Sequence, residues 1–385
     1  MSLLVTVTGR DQPGVTAALM DVLGIHGATV EDVEQVVVHG RLLLGVVIAG
    51  EGDGFRVTQD LVQVAKDLDV EVEFTPLDDA EPRLQQRHHV VVLGAPLPPA
   101  ALAAVTRALA TCGANIERVT RLSSWPAQSF ELVVSGGDTA ELRTRLAASA
   151  VEQQVDVAVE RASIYRRAKR LVVMDVDSTL VQGEVIEMLA AEAGCEAEVA
   201  RVTAAAMAGE LDFEQSLRAR VQLLAGLPVE AVDRVRAAVR LTPGGRTLVR
   251  TLKRLGWTVG IVSGGFTAVT DDLQAELGLD HALANVLEVV DGRLTGQVVG
   301  EVVDRAAKAA ALRRFAEEEG LLHEQTVAIG DGANDLDMLA AAGLGIAFNA
   351  KQVVRDAADA ALSVPFLDAV LFLLGIPRDE VEQAV

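Results

Sequence analysis

Over residues 1–160, short β-branched runs alternate with stretches whose apolar residues recur every three to four positions. The order is strand, helix, strand, strand, helix, strand, and it occurs twice. Helices are predicted at about 13–26 and 54–68 in the first copy, and at about 98–112 and 138–150 in the second. Gly27-Ala-Thr-Val-Glu-Asp-Val33 returns 86 residues later as Gly113-Ala-Asn-Ile-Glu-Arg-Val119, and Leu44-Gly-Val-Val-Ile-Ala-Gly50 returns as Glu131-Leu-Val-Val-Ser-Gly136. Each copy is therefore predicted to be a βαββαβ unit of the ferredoxin-like type. The polar segment 78–87 reads as the linker between copies. Arg166-Arg-Ala-Lys-Arg170 reads as a second joint, its cations a solvated flank ahead of the next strand.

From Leu171 the pattern changes. The segments 171–177, 257–264 and 326–331 are short, apolar and end in Asp, Ser or Gly, as parallel strands buried on both faces do. Between the first two lies a helical insertion, about 184–240. An insertion at that point sits over the strand ends, where ligands bind in open α/β sheets, so it is a candidate cap. Asp291-Gly292, between alternating apolar residues, signals a β-hairpin over 285–299. The expected domains are 1–80, 86–162 and 168–385.

Composition narrows the partners. The net charge is −21 and is spread over both halves of the chain, which disfavours nucleic acid and anionic membranes and leaves small charged molecules open. The two cysteines, Cys112 and Cys195, exclude a disulfide framework and a thiolate zinc site, and fit a reducing cytoplasm. The most apolar late stretch, 361–377, carries Pro365 and Asp368 and is too short to span a bilayer.

Three strand ends carry the chemistry. Asp175 and Asp177 stand two apart, and a period of two puts both on one side. Ser263-Gly264-Gly265 ends the second strand, Asp331-Gly-Ala-Asn334-Asp335 the third, and Lys308 lies in the preceding helical stretch. Carboxylates that repel one another can share Mg²⁺, which prefers hard oxygen ligands and can also take a phosphate oxygen. One carboxylate can then attack phosphorus while a second, protonated, serves the leaving oxygen. Ser263 and glycine N–H groups form an anion cradle, and Lys308 balances phosphoryl charge. The six histidines lack metal-ligand spacing and read as structural or solvated.

These motifs resemble the haloacid dehalogenase superfamily. With the cap string Met207…Gly209-Glu-Leu-Asp-Phe-Glu-Gln-Ser-Leu-Arg-Ala-Arg220 they resemble its phosphoserine phosphatase family over about residues 170–375. The resemblance implies a doubly wound parallel-sheet core with a helical cap, Asp175 as nucleophile and Asp177 as general acid and later base. It implies Mg²⁺ held by Asp175, the Asp177 carbonyl and Asp331, with Asp335 in support. Ser263, Gly264 and Lys308 would hold the phosphoryl group, with Asn334 beside it. Glu184 and Arg220 would meet the ammonium and carboxylate of O-phosphoserine, and Met207 and Phe213 would close the pocket. The implied reaction is the last step of serine biosynthesis. A phosphatase or phosphomutase acting on another small ester, and an amino-acid sensor with an inactive phosphatase domain, stay open as alternatives.

The repeats resemble the ACT family of regulatory domains. Gly9-Arg-Asp11-Gln-Pro13-Gly14 fits that family's first turn, whereas Gly94-Ala-Pro-Leu-Pro-Pro99 in the second copy lacks the Asp and the final Gly. The resemblance implies a homodimer and an amino-acid effector, serine being the first to try, with Asp11, Gly14 and Asn115 as effector residues.

Overall fold

A computed structural model describes residues 2–49, 54–77, 86–207 and 210–383, without the side chains of Phe55, Arg167 and Met207. Most of the expected linker 78–87 falls outside these residues. The chain divides into two compact units, Met1–Leu84 and Gln85–Val385.

The first unit runs β1 (Ser2–Arg10), α1 (Val15–Ile25), β2 (Thr29–Val38), β3 (Arg41–Ala49), α2 (Gly54–Asp67) and β4 (Val70–Leu77). Its antiparallel sheet has the order β2-β3-β1-β4. Alternate residues Val5, Val7, Leu42, Leu44 and Val46 pack against Val15, Leu19 and Leu61 of the helices, as the period of two dictates. Gly14 begins α1 at φ 98°, a conformation that favours glycine.

The second unit opens with the same topology: β5 (Arg87–Gly94), α3 (Pro99–Thr111), β6 (Asn115–Ser123), β7 (Gln128–Ser135), α4 (Thr139–Gln153) and β8 (Asp156–Arg161), in the order β6-β7-β5-β8. A seven-stranded sheet follows. Its strands are β9 (Leu171–Met174), β10 (Thr258–Phe266), β11 (His281–Val290), β12 (Arg293–Val299), β13 (Thr326–Gly330), β14 (Gly345–Phe348) and β15 (Ala360–Leu362), in the order β12-β11-β10-β9-β13-β14-β15. All neighbours are parallel except β11 and β12. Val172 and Met174 of β9 face a core shared with α9 (Gly245–Arg254) and α10 (Thr267–Leu277), while Leu171 and Val173 face α11 (Arg305–Glu318) and α12 (Leu336–Ala340). Helices on both faces explain why this strand is wholly apolar. The short helices α13 (Gln352–Ala357), α14 (Val370–Leu373) and α15 (Arg378–Gln383) complete the unit.

The insertion is helical: α5 (Val185–Ala193), α6 (Glu196–Met207), α7 (Phe213–Gln222) and α8 (Val229–Ala238). Its two ends are joined where Gln182 N donates to Arg240 O (2.8 Å) and Val181 bridges Leu241. On its far side Gly226 N donates to Leu294 O (2.8 Å) and Leu294 N to Leu227 O (2.9 Å), so the β11–β12 hairpin seats the cap. That hairpin turns at Asp291 (φ 49°) and Gly292 (φ 73°), the left-handed pair demanded by a two-residue turn.

Two expectations are corrected. β9 ends at Met174, and Asp177 lies in the turn that follows, with Ser178 at φ 58°. The turn, not strand alternation, directs the second carboxylate. The flank 166–170 is not solvated throughout: Arg166 lies 2.5 Å from Glu131 and 3.2 Å from Glu160, and buried Lys169 donates to Glu324 O (2.8 Å). Its partners are acids on β7 and β8 that local composition cannot reveal. Nearby, Val91, Leu93, Leu122 and Ala158 join the apolar cluster that contains Leu371, Phe372 and Val381, so the second repeat and the seven-stranded sheet share one core.

Candidate active site

The central strand β9 has β10 on one side and β13 on the other, so the carboxyl ends of three adjacent strands converge where connections depart in opposite directions. Asp175 follows β9 and is 3% exposed. Its N–H donates to Ile329 O (2.9 Å), and its Oδ1 accepts from Val176 N (2.7 Å). Lys308, fully buried on the first turn of α11, sets Nζ 2.8 Å from Asp175 Oδ1 and 2.7 Å from Asp335 Oδ1. Burial alone would lower the lysine pKa, but the two carboxylates outweigh it and hold it above the ordinary lysine range. Asp175 is pushed well above the usual carboxylate range by burial and then by Asp335, against the pull of Lys308.

Asp177 accepts from Val185 N at Oδ1 (2.8 Å), and Ser263 Oγ donates to its Oδ2 (3.1 Å). Burial raises its pKa despite these bonds. Asp331 accepts from Thr179 Oγ1 (3.2 Å) and is pushed up to about 6, by burial first and Asp335 second. Oxygens of Asp175, Asp331 and Asp335 lie within 4.8 Å of one another. Three carboxylates facing one ammonium leave excess negative charge, and their hard oxygens suit a divalent cation. Asp335, expected only in support, thus has its carboxylate inside the cluster. It also accepts from Gly332 N (3.0 Å), and Asn334 Oδ1 lies close to Gly332.

The cradle is tight. A Cβ on Gly265 would lie 2.6 Å from Asp177 Oδ2, and one on Gly264 would lie 2.9 Å from Phe213 Cζ, so neither glycine can carry a side chain without displacing a neighbour. Phe213 opens α7, whose start is secured by Asp212 and Gln215 in a reciprocal capping box. Arg220 lies seven residues on, hence on the same helical face. Glu184 accepts from Ser178 Oγ (3.2 Å) and is pushed up to about 7, by burial first and then by Asp177 and Asp331. Burial lowers the Arg220 pKa, while Glu184 and Asp177 favour its charge. Met207 ends α6, and its side chain lies outside the described residues.

The residues expected to take an effector are divided between the units. Asp11 and Gly14 share the β1–α1 turn, where Asp11 N donates to Gly40 O (2.9 Å); Asn115 begins β6. Sequence reasoning missed Thr179, bonded to Asp331, and Asn285, buried behind the cradle. The sole local signal for Asn285 was a polar residue within an apolar strand. Among the described residues no helix is long and apolar enough to cross a membrane.

An acidic centre at the carboxyl ends of a capped, doubly wound sheet defines a haloacid dehalogenase-like hydrolase, and the model of that family matches residues 172–340. ACT domain models match residues 1–75 and 86–160. A phosphoserine phosphatase of Streptomyces coelicolor is 58% identical over all of this chain and 94% of its own length. Phosphoserine phosphatase SerB2 of Mycobacterium tuberculosis is 52% identical over all of this chain and 95% of its own length. A solved structure described as a phospho-aspartyl intermediate analogue of phosphoserine phosphatase is 46% identical, with a TM-score of 0.51 over 53% of this chain and 98% of that one. The chain belongs to the phosphoserine phosphatase family.

Proposed function

We propose that this chain hydrolyses O-phospho-L-serine to L-serine and phosphate with Mg²⁺. The observation that carries the reading is the placement beside the acidic cluster of a carboxylate, Glu184, bonded to Ser178 of the Asp177 turn, and of a guanidinium, Arg220, on the helical face of Phe213, which abuts Gly264, with no ion pair between the two. A zwitterion needs one anion for its ammonium and one fork of N–H donors for its carboxylate.

Asp175 attacks phosphorus through a carboxylate oxygen as the bond to the serine oxygen breaks. Asp177, whose raised pKa favours the protonated form, delivers the proton to that oxygen. Asp177 then takes a proton from water, which attacks phosphorus and releases phosphate and free Asp175. Ser263 and Gly264 cradle the phosphoryl oxygens, Asn334 stands beside them, and Lys308 offsets their charge. Asp175, Asp331 and the Asp177 carbonyl, with Asp335 close by, would hold Mg²⁺, which when bound neutralises charge on the phosphoryl oxygens. Phe213, against Gly264, closes the pocket around the serine.

In this reading residues 168–385 carry the chemistry. The repeats at 1–80 and 86–162 pair with a second copy and take an amino-acid effector, serine, at Asp11, Gly14 and Asn115. Phosphate release from a panel of small esters, with and without Mg²⁺, tests the assignment: O-phosphoserine should be preferred and EDTA should stop the reaction. A preference for a sugar phosphate would defeat it.

A further inference from the structure

Asn285 belongs to none of the groups assigned above, yet it is 1% exposed directly behind the phosphoryl cradle. It stands on β11 opposite Phe266, where the β10–β11 ladder is interrupted: the register shifts between Val262 and Phe266, leaving the Ser263–Gly265 stretch of β10 without regular pairing to β11. Its amide supplies bonds there instead. Nδ2 donates to Gly264 O (2.8 Å), and Oδ1 accepts from Val303 N (2.8 Å). One partner can only accept and the other can only donate, so the orientation of the amide is determined.

Both bonds lead to the reacting centre. Gly264 C=O and Gly265 N–H belong to one rigid peptide plane. That N–H donates to Ser263 Oγ (2.8 Å), which in turn donates to Asp177 Oδ2 (3.1 Å). On the other side, Val303 precedes Asp304, whose carboxylate caps α11 at Ala307 N (2.8 Å), one residue before Lys308. A single buried amide thus joins the irregular stretch of β10 that bears Ser263 to the start of the helix that bears Lys308.

We propose that Asn285 is a positioning residue for phosphoryl transfer, holding the Gly264 peptide and the start of α11 in the relation that aims Ser263 and Lys308 at one phosphoryl group. The proposal rests on the reading of those two residues as phosphoryl-holding groups. An aspartate is nearly isosteric but turns an oxygen toward Gly264 O, and a leucine removes both bonds while filling similar space.

The test is steady-state kinetics of full-length Asn285→Asp and Asn285→Leu on O-phosphoserine and on an aryl phosphate, with thermal melting in parallel. A displaced cradle predicts that kcat per folded molecule falls about 10- to 100-fold on both substrates, while KM for O-phosphoserine stays within about threefold. A merely structural amide would lower the melting temperature and leave kcat per folded molecule within about twofold of wild type, which would overturn the proposal. If the leucine variant does not fold, the aspartate variant decides. Failure of both to fold assigns Asn285 to the fold and likewise overturns it. Wild-type protein that leaves O-phosphoserine intact would instead defeat the underlying reading.

Discussion

Removing the guanidinium of Arg220 should separate recognition of serine from chemistry on phosphate. Arg220 is half-buried, and the bond found for its side chain runs from Nε to Ser216 O at a long 3.4 Å; no carboxylate lies within ion-pair distance of it among the described residues. Its fork is therefore available to a ligand. Two charge-assisted hydrogen bonds to a substrate carboxylate, each at the low end of about 1.5–3 kcal/mol because the group is partly solvated, sum to about 3 kcal/mol. That energy corresponds to roughly a hundredfold loss of kcat/KM on O-phosphoserine in Arg220→Ala. An aryl phosphate has no carboxylate and should lose less than about threefold. Arg220→Lys keeps the charge without the planar fork and should fall between. The assay is phosphate release under identical conditions for both substrates. Equal losses would mean that Arg220 serves the phosphoryl group or the fold, and the serine assignment would lose its main support.

Asp175→Asn should abolish turnover with the melting temperature preserved to within a few degrees, because the amide is close in shape but a poor nucleophile; substantial activity in the folded variant would rule out covalent catalysis. Mg²⁺ at about a hundred times its dissociation constant should stabilise the protein by about 2.7 kcal/mol, read as a rise in melting temperature that EDTA reverses, and a chelator-insensitive melt would count against the cluster as a metal site. In metal-free protein, Glu184 near 7 and Asp331 near 6 bind protons more tightly than they do unfolded, at 4.5 and 3.8. Their contribution is therefore greatest below the unfolded values and is lost as pH rises through 6 and 7, so Glu184→Gln should gain stability over wild type with rising pH, by on the order of 1–3 kcal/mol. An opposite slope would refute the assigned environment. A chain starting at residue 86 should keep turnover, whereas one starting at 166 should melt lower, because it uncovers the cluster around Leu371 and Phe372; equal melting temperatures would show that the shared core adds nothing.

Where a signal is local in sequence, it was legible. The apolar run of β9, the Asp291-Gly292 turn and the repeated βαββαβ order all rest on near neighbours, and Asp175, Ser263 and Asp331 come as motifs at strand ends. Features built from distant partners were not legible. Arg166 and Lys169 read as solvated because Glu131 and Glu324 are remote in the chain, yet the carboxylates of Glu131 and Glu160 and the backbone carbonyl of Glu324 make burial tolerable. Asp177 was credited to a strand because the run 171–177 reads as extended to its end, whereas Ser178 takes a left-handed conformation that an isolated serine seldom adopts. Asn285 is a lone polar residue until the register of β10 against β11 is known.

The joined ends of the cap have a consequence for how substrate preference can vary. Viewed from the sheet, the whole insertion is a loop of roughly sixty residues whose two feet meet at Val181 and Leu241, and the entropy of closing such a loop grows only logarithmically, about 0.6 kcal/mol for each doubling of length. Changing the length of the insertion therefore costs the parent sheet little, provided the feet, the seat on the hairpin and the apolar residues that the cap shares with the sheet core, among them Leu189, Val221 and Val235, are kept. Glu184 and Arg220 ride on that inserted piece, while Asp175, Ser263, Lys308 and Asp331 belong to the sheet and the helix packed on it. In the proposed reading, selectivity and reactivity thus reside on separate parts of one chain, and a change of length within the first need not move the second.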